Sequence, residues 1–592
     1  MAAGEPDESN REAVSWSRLR LEWLRLERLR PHVFALAVLV GFATMAWAHR
    51  WLHEDGLINL RVIQNLLAGR GPVYNAGERV EAFTSPAQVA IVSLASIVTL
   101  GQVPLDALVL LVGVALSVSG LWLAMRGAVH LWGLGERGRS LLPVGALAFA
   151  AVPLSWDFAT SGHEGSVGYA WIGAAAYVLG RRVAALRSGT EVRIDRGRWE
   201  LVVLGSGALV RPEYALFTVS FVVAWAVLHR GAAGARWSAA AWAFGPTVAY
   251  QVFRMGYFAL VVPNTALAKL GGPFGASEGW YYLRAFVGPF WLWVGLGAVA
   301  VLLGRRLASA SSDQRVAVAA LVVPALLTIG YLVSIGGDYV NGRLLVVPFF
   351  ALLAPVSLLD GSDFVDRSGG LRWVPAGLGA VLVLWATLTA TSLRPPWDAK
   401  GNDFLDVRYD ARELAIQRWV GEPPTTIEDY RDTFLAGPIK TLATQLPSTD
   451  GGILVLDDPY YGQVVLLPAE DGPVIASTTI GALGTVGGID VRIIDRLALA
   501  DPIASHLPVT GTTAGHLRKL SNAWVYGRLG IEADPASAAA VRALSCGDLQ
   551  RLLDDTTGPM GPGRFLSNIL HAPGNTTISI PADTEEAVDA FC

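Results

Sequence analysis

Apolar residues run in membrane-length blocks through the first two-thirds of the chain and break into short runs in the last third. A spanning helix needs about 20 mostly apolar residues. Such blocks fall near 32–51, 84–125, 140–154, 166–183, 199–212, 214–229, 237–257, 284–304, 316–335, 343–359 and 373–392. Block 84–125 is long enough for two helices broken at Gly101–Pro104, which would reverse the sidedness of everything after it. It is read as one crossing plus a tilted or re-entrant piece. The pattern predicts a polytopic α-helical membrane protein with about eleven transmembrane helices over 32–392.

Two flanking regions differ in character. Residues 11–30 place Trp16, Leu19, Trp23 and Leu26 on one helical face with arginines around the rest. Segment 1–31 therefore reads as an amphipathic stretch lying on the anionic cytoplasmic leaflet, and a solvated tail fits nearly as well. From 393 to 592 the chain carries Pro, Gly, Asp and Thr clusters. Short apolar runs fall at 451–458 and 473–478, and helical stretches at 405–420 and 536–554. This predicts a separate soluble α+β domain of about 200 residues. It shows no zinc spacing, Gly-rich phosphate loop or GxSxG motif.

Composition agrees with the pattern. The chain is 52% hydrophobic and 16% charged, against about 25% charged in soluble proteins. No basic stripe with interleaved aromatics is present, which argues against nucleic acid as a partner. Arginine marks the cytoplasmic side: Arg181, Arg182, Arg187, Arg193, Arg196 and Arg198 in one loop, Arg305, Arg306 and Arg315 in another, and His229 to Arg236 in a third. That assignment puts 52–83, 155–165, 258–283, 336–342 and the C-terminal domain on the outer face of the plasma membrane. No small-residue cleavage site follows the first apolar run, so it is expected to remain as an anchor. Exported, Cys546 and Cys592 are a candidate disulfide; in the cytoplasm they would stay reduced.

Ionisable residues beside membrane spans are functional candidates. On the predicted outer side they are Glu54, Asp55 and Arg61; Asp157, His163 and Glu164; Arg211 and Glu213; Asn264 and Lys269; Asp338 and Arg343. Taken singly, each has a plainer reading. Glu54 and Asp55 suit a helix N-terminus, Arg211 and Glu213 make a local ion pair, His163 is a satisfied loop histidine, and Lys269 and Arg343 are snorkelling anchors. Their recurrence on one side favours a site. Acids beside cations suit sugar transfer from a phosphate carrier: a carboxylate takes a proton or attacks carbon, and cations hold the departing phosphate.

The segment EDGLINLRVIQNLLAGRGPVYNAGERVEAFTSP (54–86) resembles the first-loop signature of GT-C glycosyltransferases. Together with VPNTALAKLG, GGDYVNGRLLVVP, GGIDVRIIDRLALADPIASHLP and GHLRKL, it resembles the terminal β-(1→2)-arabinofuranosyltransferases of mycolic-acid-bearing actinobacteria over nearly the whole chain. The resemblance implies a GT-C fold and a donor of decaprenyl-phospho-arabinofuranose. It also implies an acceptor at the arabinan ends of arabinogalactan and lipoarabinomannan. Asp55 matches the second acid of the signature and is the expected catalytic carboxylate. Glu54 stands where the family usually has aspartate, and GHLRKL lacks the acid that commonly follows GH, which weakens a role for His516. The implied donor and product are both β-linked, so the implied reaction retains configuration, by double displacement or front-face attack. Arg61, Lys269 and Arg343 are candidate phosphate or sugar contacts. His163, Glu164, Arg211, Glu213, Asn264 and Asp338 complete the candidate donor-binding set. A divalent cation is left open as a cofactor. The rival readings are another polyprenyl-phosphosugar-dependent GT-C enzyme, such as a mannosyltransferase, and a lipid-linked sugar transporter. The latter is expected to show internal repeats, which this sequence lacks.

Overall fold

The computed structural model describes residues 32–592 apart from 135–139, 190–196, 230–233, 273–274, 365–371, 395–409, 446–451, 459–462, 470–472 and 512–515. The amphipathic reading of 1–31 and the arginines Arg193 and Arg196 lie outside the described residues.

Helices α1 (Val33–Ala48), α2 (Glu54–Leu67), α3 (Pro86–Val98) and α4 (Leu105–Trp132) come first. The 52–83 stretch is thus not simply a loop, because α2 fills much of it. Gly101, at φ 68°, and Pro104 separate α3 from α4. At about 1.5 Å per residue α3 is too short for a bilayer of about 30 Å. Next come α5 (Val144–Ala150), α6 (Pro153–Thr160), α7 (Gly165–Arg187), α8 (Arg198–Gly205), α9 (Ala215–Leu228) and α10 (Gly234–Phe258). The membrane region ends with α11 (Ala276–Val287), α12 (Leu292–Ala308), α13 (Ser312–Ser334), α14 (Val346–Leu353) and α15 (Trp373–Thr391).

The apolar blocks are largely helical, but not as eleven continuous spans. Among the described residues, α4, α13 and α15 are long and apolar enough to cross a bilayer, and α11 with α12, bent by 82°, adds a fourth if counted as one. Block 140–154 splits at Pro153, which lacks an N–H and opens α6 instead of continuing α5. Block 199–212 breaks at Ser206, resumes as a short turn at Gly207–Val210 and ends where Arg211 is extended ahead of Pro212. Block 284–304 breaks where Trp291 adopts a left-handed φ of 47°. Block 343–359 is helical only from Val346 and tightens to a 3₁₀ turn at Ala354–Val356. Hydrophobicity alone does not register these breaks; proline and local backbone do.

Helices α4 and α7 run side by side in the same direction. A Cβ on Gly120 would stand 2.3 Å from the Tyr169 carbonyl oxygen, and one on Gly173 would stand 2.1 Å from that of Gly120. Gly127 and Gly180 repeat the contact one step further on. Only glycine lets the two backbones touch, the usual device of helix packing in lipid.

The C-terminal domain is α+β, as expected. Strands β1 (Gly452–Asp458), β2 (Gln463–Ala469), β3 (Val474–Ser477) and β4 (Arg492–Asp495) form a sheet of order β2-β1-β3-β4. Helix α16 (Gly481–Val486) crosses from β3 to β4. Only the β1–β2 pair is antiparallel. Helices α17 (Asn522–Arg528), α18 (Pro535–Leu544), α19 (Gly547–Thr557), α20 (Pro562–Thr577) and α21 (Thr584–Phe591) follow. Val474 and Ile494 face the core of these last helices with Trp524 and Leu552. Their neighbours Ile475 and Ile493 face the other way, into a core with Leu57, Leu60, Tyr74 and Phe83 of the segment between α1 and α3, as the two-residue period of a strand requires. The segment between α1 and α3 and the C-terminal domain therefore share one core. Cys546 and Cys592 are joined in a disulfide across 46 residues.

Candidate active site

The sequence H-E-D at 53–55 sets the site. His53 is extended and precedes the first turn of α2, and its Nδ1 accepts the Asp55 backbone N–H at 3.0 Å. This is an N-cap made by a histidine, and it fixes where the Asp55 side chain emerges. The Asp55 carboxylate accepts a hydrogen bond from the Tyr339 hydroxyl and one from Arg343 Nη1 at 3.3 Å. Arg343 Nε donates to Asp338 at 2.6 Å. Tyr339 and Arg343 both come from the GGDYVNGR turn, where Gly337 and Gly342 take positive φ. The Tyr339 ring lies 5.1 Å from that of His516. His53 and His163 pair their rings at 4.8 Å.

Charges around Asp55 decide its state. Burial alone would raise its pKa; the neighbouring histidines, Arg343 and the Tyr339 hydroxyl outweigh that and hold it below the usual carboxylate range. His53 is itself lowered to about 4 by burial, so near neutral pH it carries no charge, and Arg343 and Tyr339 do the holding. Lys269 is solvent-accessible. The protein packed around this open side chain and then Arg343 lower its pKa, while Asp338 and Asp55 oppose them, which sets it among the same charged groups. An ionised carboxylate with two cations beside it is the arrangement that sugar transfer from a phosphate requires.

Glu54 turns the other way. Its Oε1 accepts the backbone N–H of Gly481 at 2.5 Å and that of Ala482 at 3.3 Å, the first amides of α16. Burial and then the Asp55 charge raise its pKa, against the pull of those amides. The adjacent acids thus divide: Asp55 faces the cluster, and Glu54 fastens the soluble domain.

Several expected ligands are engaged in contacts within the fold. Arg61 is fully buried, and its five N–H groups go to the carbonyls of Tyr74, Gly484, Gly488 and Val491 and to Asn75 Oδ1. No donor group is left for a phosphate. Asn264 donates to the carbonyls of Ala498, Leu499 and Asp501. Arg211 is held between Glu164 and Glu213, so its charge is already balanced. Asp157 pairs with Arg394 at 2.8 Å, and Arg394 with Asp410. The GERVE run works the same way: Glu78 binds Arg492 and Arg528, Arg79 the Tyr257 and Asp555 carbonyls, and Glu81 binds Arg254. The structure thus gathers Asp55, His163, Lys269, Asp338 and Arg343, with the Glu164–Arg211–Glu213 group near them, and engages Arg61, Asn264 and Glu54 with the C-terminal domain instead. It adds three residues not chosen from sequence. His53 directly precedes the acid pair, Tyr339 lies between two chosen residues, and His516 sits in the weakened GHLRKL motif.

His53, Asp55 and His163 can bring one ligand atom each within 4.8 Å of one another. His53 Nδ1 already accepts the Asp55 N–H, so its neutral ring carries the proton on Nε2 and offers no lone pair. The Asp55 carboxylate and a His163 nitrogen remain, a pair that would hold a divalent cation only together with substrate phosphate oxygens or water.

A curated terminal β-(1→2)-arabinofuranosyltransferase of Mycobacterium tuberculosis is 34% identical to this chain, over 91% of it and 93% of the relative. This chain belongs to that family. A second member, from Corynebacterium glutamicum, is 29% identical over 94% of this chain and 88% of its own. The AftB family C-terminal domain matches residues 468–590. ArnT from Cupriavidus metallidurans, solved with undecaprenyl phosphate bound, aligns with 95% of this chain and 90% of its own, at 12% identity and a TM-score of 0.41. Glycosyl transfer is the chemistry of the arabinofuranosyltransferase family, and the chain is a membrane glycosyltransferase within it. The C-terminal family match starts inside β2 and takes in α16 and β4, the elements that Glu54 and Arg61 grip.

Proposed function

We propose that this GT-C arabinofuranosyltransferase uses decaprenyl-phospho-arabinofuranose and extends arabinan in arabinogalactan and lipoarabinomannan through terminal β-(1→2) linkages, at the outer face of the plasma membrane. The observation that carries the site assignment is Asp55: it is ionised, its side chain is 18% exposed, and Tyr339 and Arg343 orient it. A carboxylate held below its usual pKa is a weak base for an acceptor hydroxyl. It suits attack on the anomeric carbon as the first of two displacements, or stabilisation of an oxocarbenium-like centre that the acceptor hydroxyl attacks from the face the phosphate leaves, and either route retains configuration. Arg343 and Lys269 hold the departing decaprenyl phosphate, His163 and Glu164 border the sugar, and His516 closes the site from the soluble domain. Purified protein given decaprenyl-phospho-arabinofuranose and polyprenyl-phosphomannose in parallel tests the substrate. Transfer from the first alone supports the proposal, and transfer from mannose alone overturns it.

A further inference from the structure

Helix α7 links two differently charged ends. Glu164, just before it, belongs to the catalytic cluster, and Arg187 is its last residue, about 34 Å away at 1.5 Å per residue. At that far end, beside the last turn of α4, lies a cavity of about 720 Å³ bordered by His130, Gly133, Arg181, Arg182, Arg187 and Glu200.

Its arginines are unequally employed. Arg182 is buried, pairs with Glu200 at 2.8 Å and lies over the Trp225 ring. Arg187 donates to the His130 and Leu131 carbonyls that end α4. Arg181 lies over the Tyr177 ring. Arg126 stands one helical turn before His130. The charges that act most on His130 are Arg126, Arg181 and Arg187. Among the described residues, no carboxylate pairs with any of these three. Glu200, the acid bordering the cavity, is already taken by Arg182. Three guanidinium groups around one imidazole at a membrane boundary repel one another unless an anion joins them.

We propose that this cavity binds a phosphate group, presented by an anionic phospholipid head group or as free phosphate. The guanidinium fork matches phosphate oxygens in pairs. The volume is that of a small-molecule site, and basic pockets between spanning helices commonly receive lipid head groups. The site lies at the opposite end of α7 from Asp55 and rests on no part of the catalytic reading.

The test uses the full chain in phosphatidylcholine nanodiscs doped with phosphatidylglycerol, with retained lipid counted by native mass spectrometry. The probe variant is R126Q/R181Q, because among the described residues neither side chain makes a hydrogen bond that holds the fold, and its melting midpoint is read in the same samples. The wild type is expected to retain phosphatidylglycerol about tenfold better than R126Q/R181Q, with R126K/R181K restoring retention. In phosphatidylcholine-only nanodiscs, a rise in melting midpoint on adding inorganic phosphate, seen in the wild type and absent from R126Q/R181Q, assigns the free-phosphate form. Equal lipid retention by wild type and R126Q/R181Q, with no phosphate shift peculiar to the wild type, overturns the proposal.

Discussion

The Glu54 carboxylate accepts a hydrogen bond from the backbone N–H of Gly481, 427 residues further along the chain. Its neighbour Asp55 is bound instead by Tyr339 and Arg343. One peptide unit therefore joins the contact with the C-terminal domain to the carboxylate proposed to react.

The Glu54 contact gives stability a pH dependence. Its folded pKa is raised by burial and by the Asp55 charge. The folded state thus holds a proton that the unfolded chain releases, and this contribution is present below pH 4.5 and is lost as pH rises through the higher folded value. Glu54→Gln keeps the acceptor oxygen and removes the titration. The melting midpoint of the wild type is expected to fall more between pH 5 and 8 than that of Glu54→Gln. Parallel profiles would remove the assignment.

Tyr339 acts by positioning Asp55. Tyr339→Phe deletes one hydrogen bond to a charged group, about 1.5–3 kcal/mol, equivalent to a loss of about tenfold to a hundredfold in rate. The loss is expected in kcat, with the donor KM little changed and the acid limb of the pH–rate profile moved upward, because Asp55 loses a group that favours its ionised form. A change confined to KM would instead place Tyr339 on the donor.

Arg61 and Lys269 provide a contrast. Arg61→Met removes five hydrogen bonds and frees buried carbonyls, so it is expected to destabilise the protein by about 3 kcal/mol or more and to loosen the soluble domain to protease. Lys269→Ala, at a solvent-accessible side chain, is expected to leave melting unchanged and to raise the donor KM about tenfold. Arg61→Met with normal melting and a raised KM would return that residue to the site.

These contrasts show what the sequence made legible. The membrane blocks, the change of character after 392 and the cysteine pair could be read because hydrophobicity and composition act locally. Asp55, Lys269, Asp338 and Arg343 could be read because charge beside apolar spans is rarely idle. Arg61 and Asn264 could not be told from ligands, because most of their partners are backbone carbonyls more than 200 residues away, and a carbonyl leaves no mark on a side-chain pattern. The breaks at Pro153 and Trp291 were hidden for a related reason: apolarity persists through them while the helix does not.

The central claim is that Asp55 acts on the anomeric carbon, and Asp55→Asn tests it most directly. The amide keeps the size of the side chain and can still accept the Tyr339 hydrogen bond, but it lacks the charge. Transfer from decaprenyl-phospho-arabinofuranose by purified, folded Asp55→Asn is expected to fall by about a thousandfold or more, with the melting midpoint near that of the wild type. Transfer at a rate close to the wild type's would contradict the account.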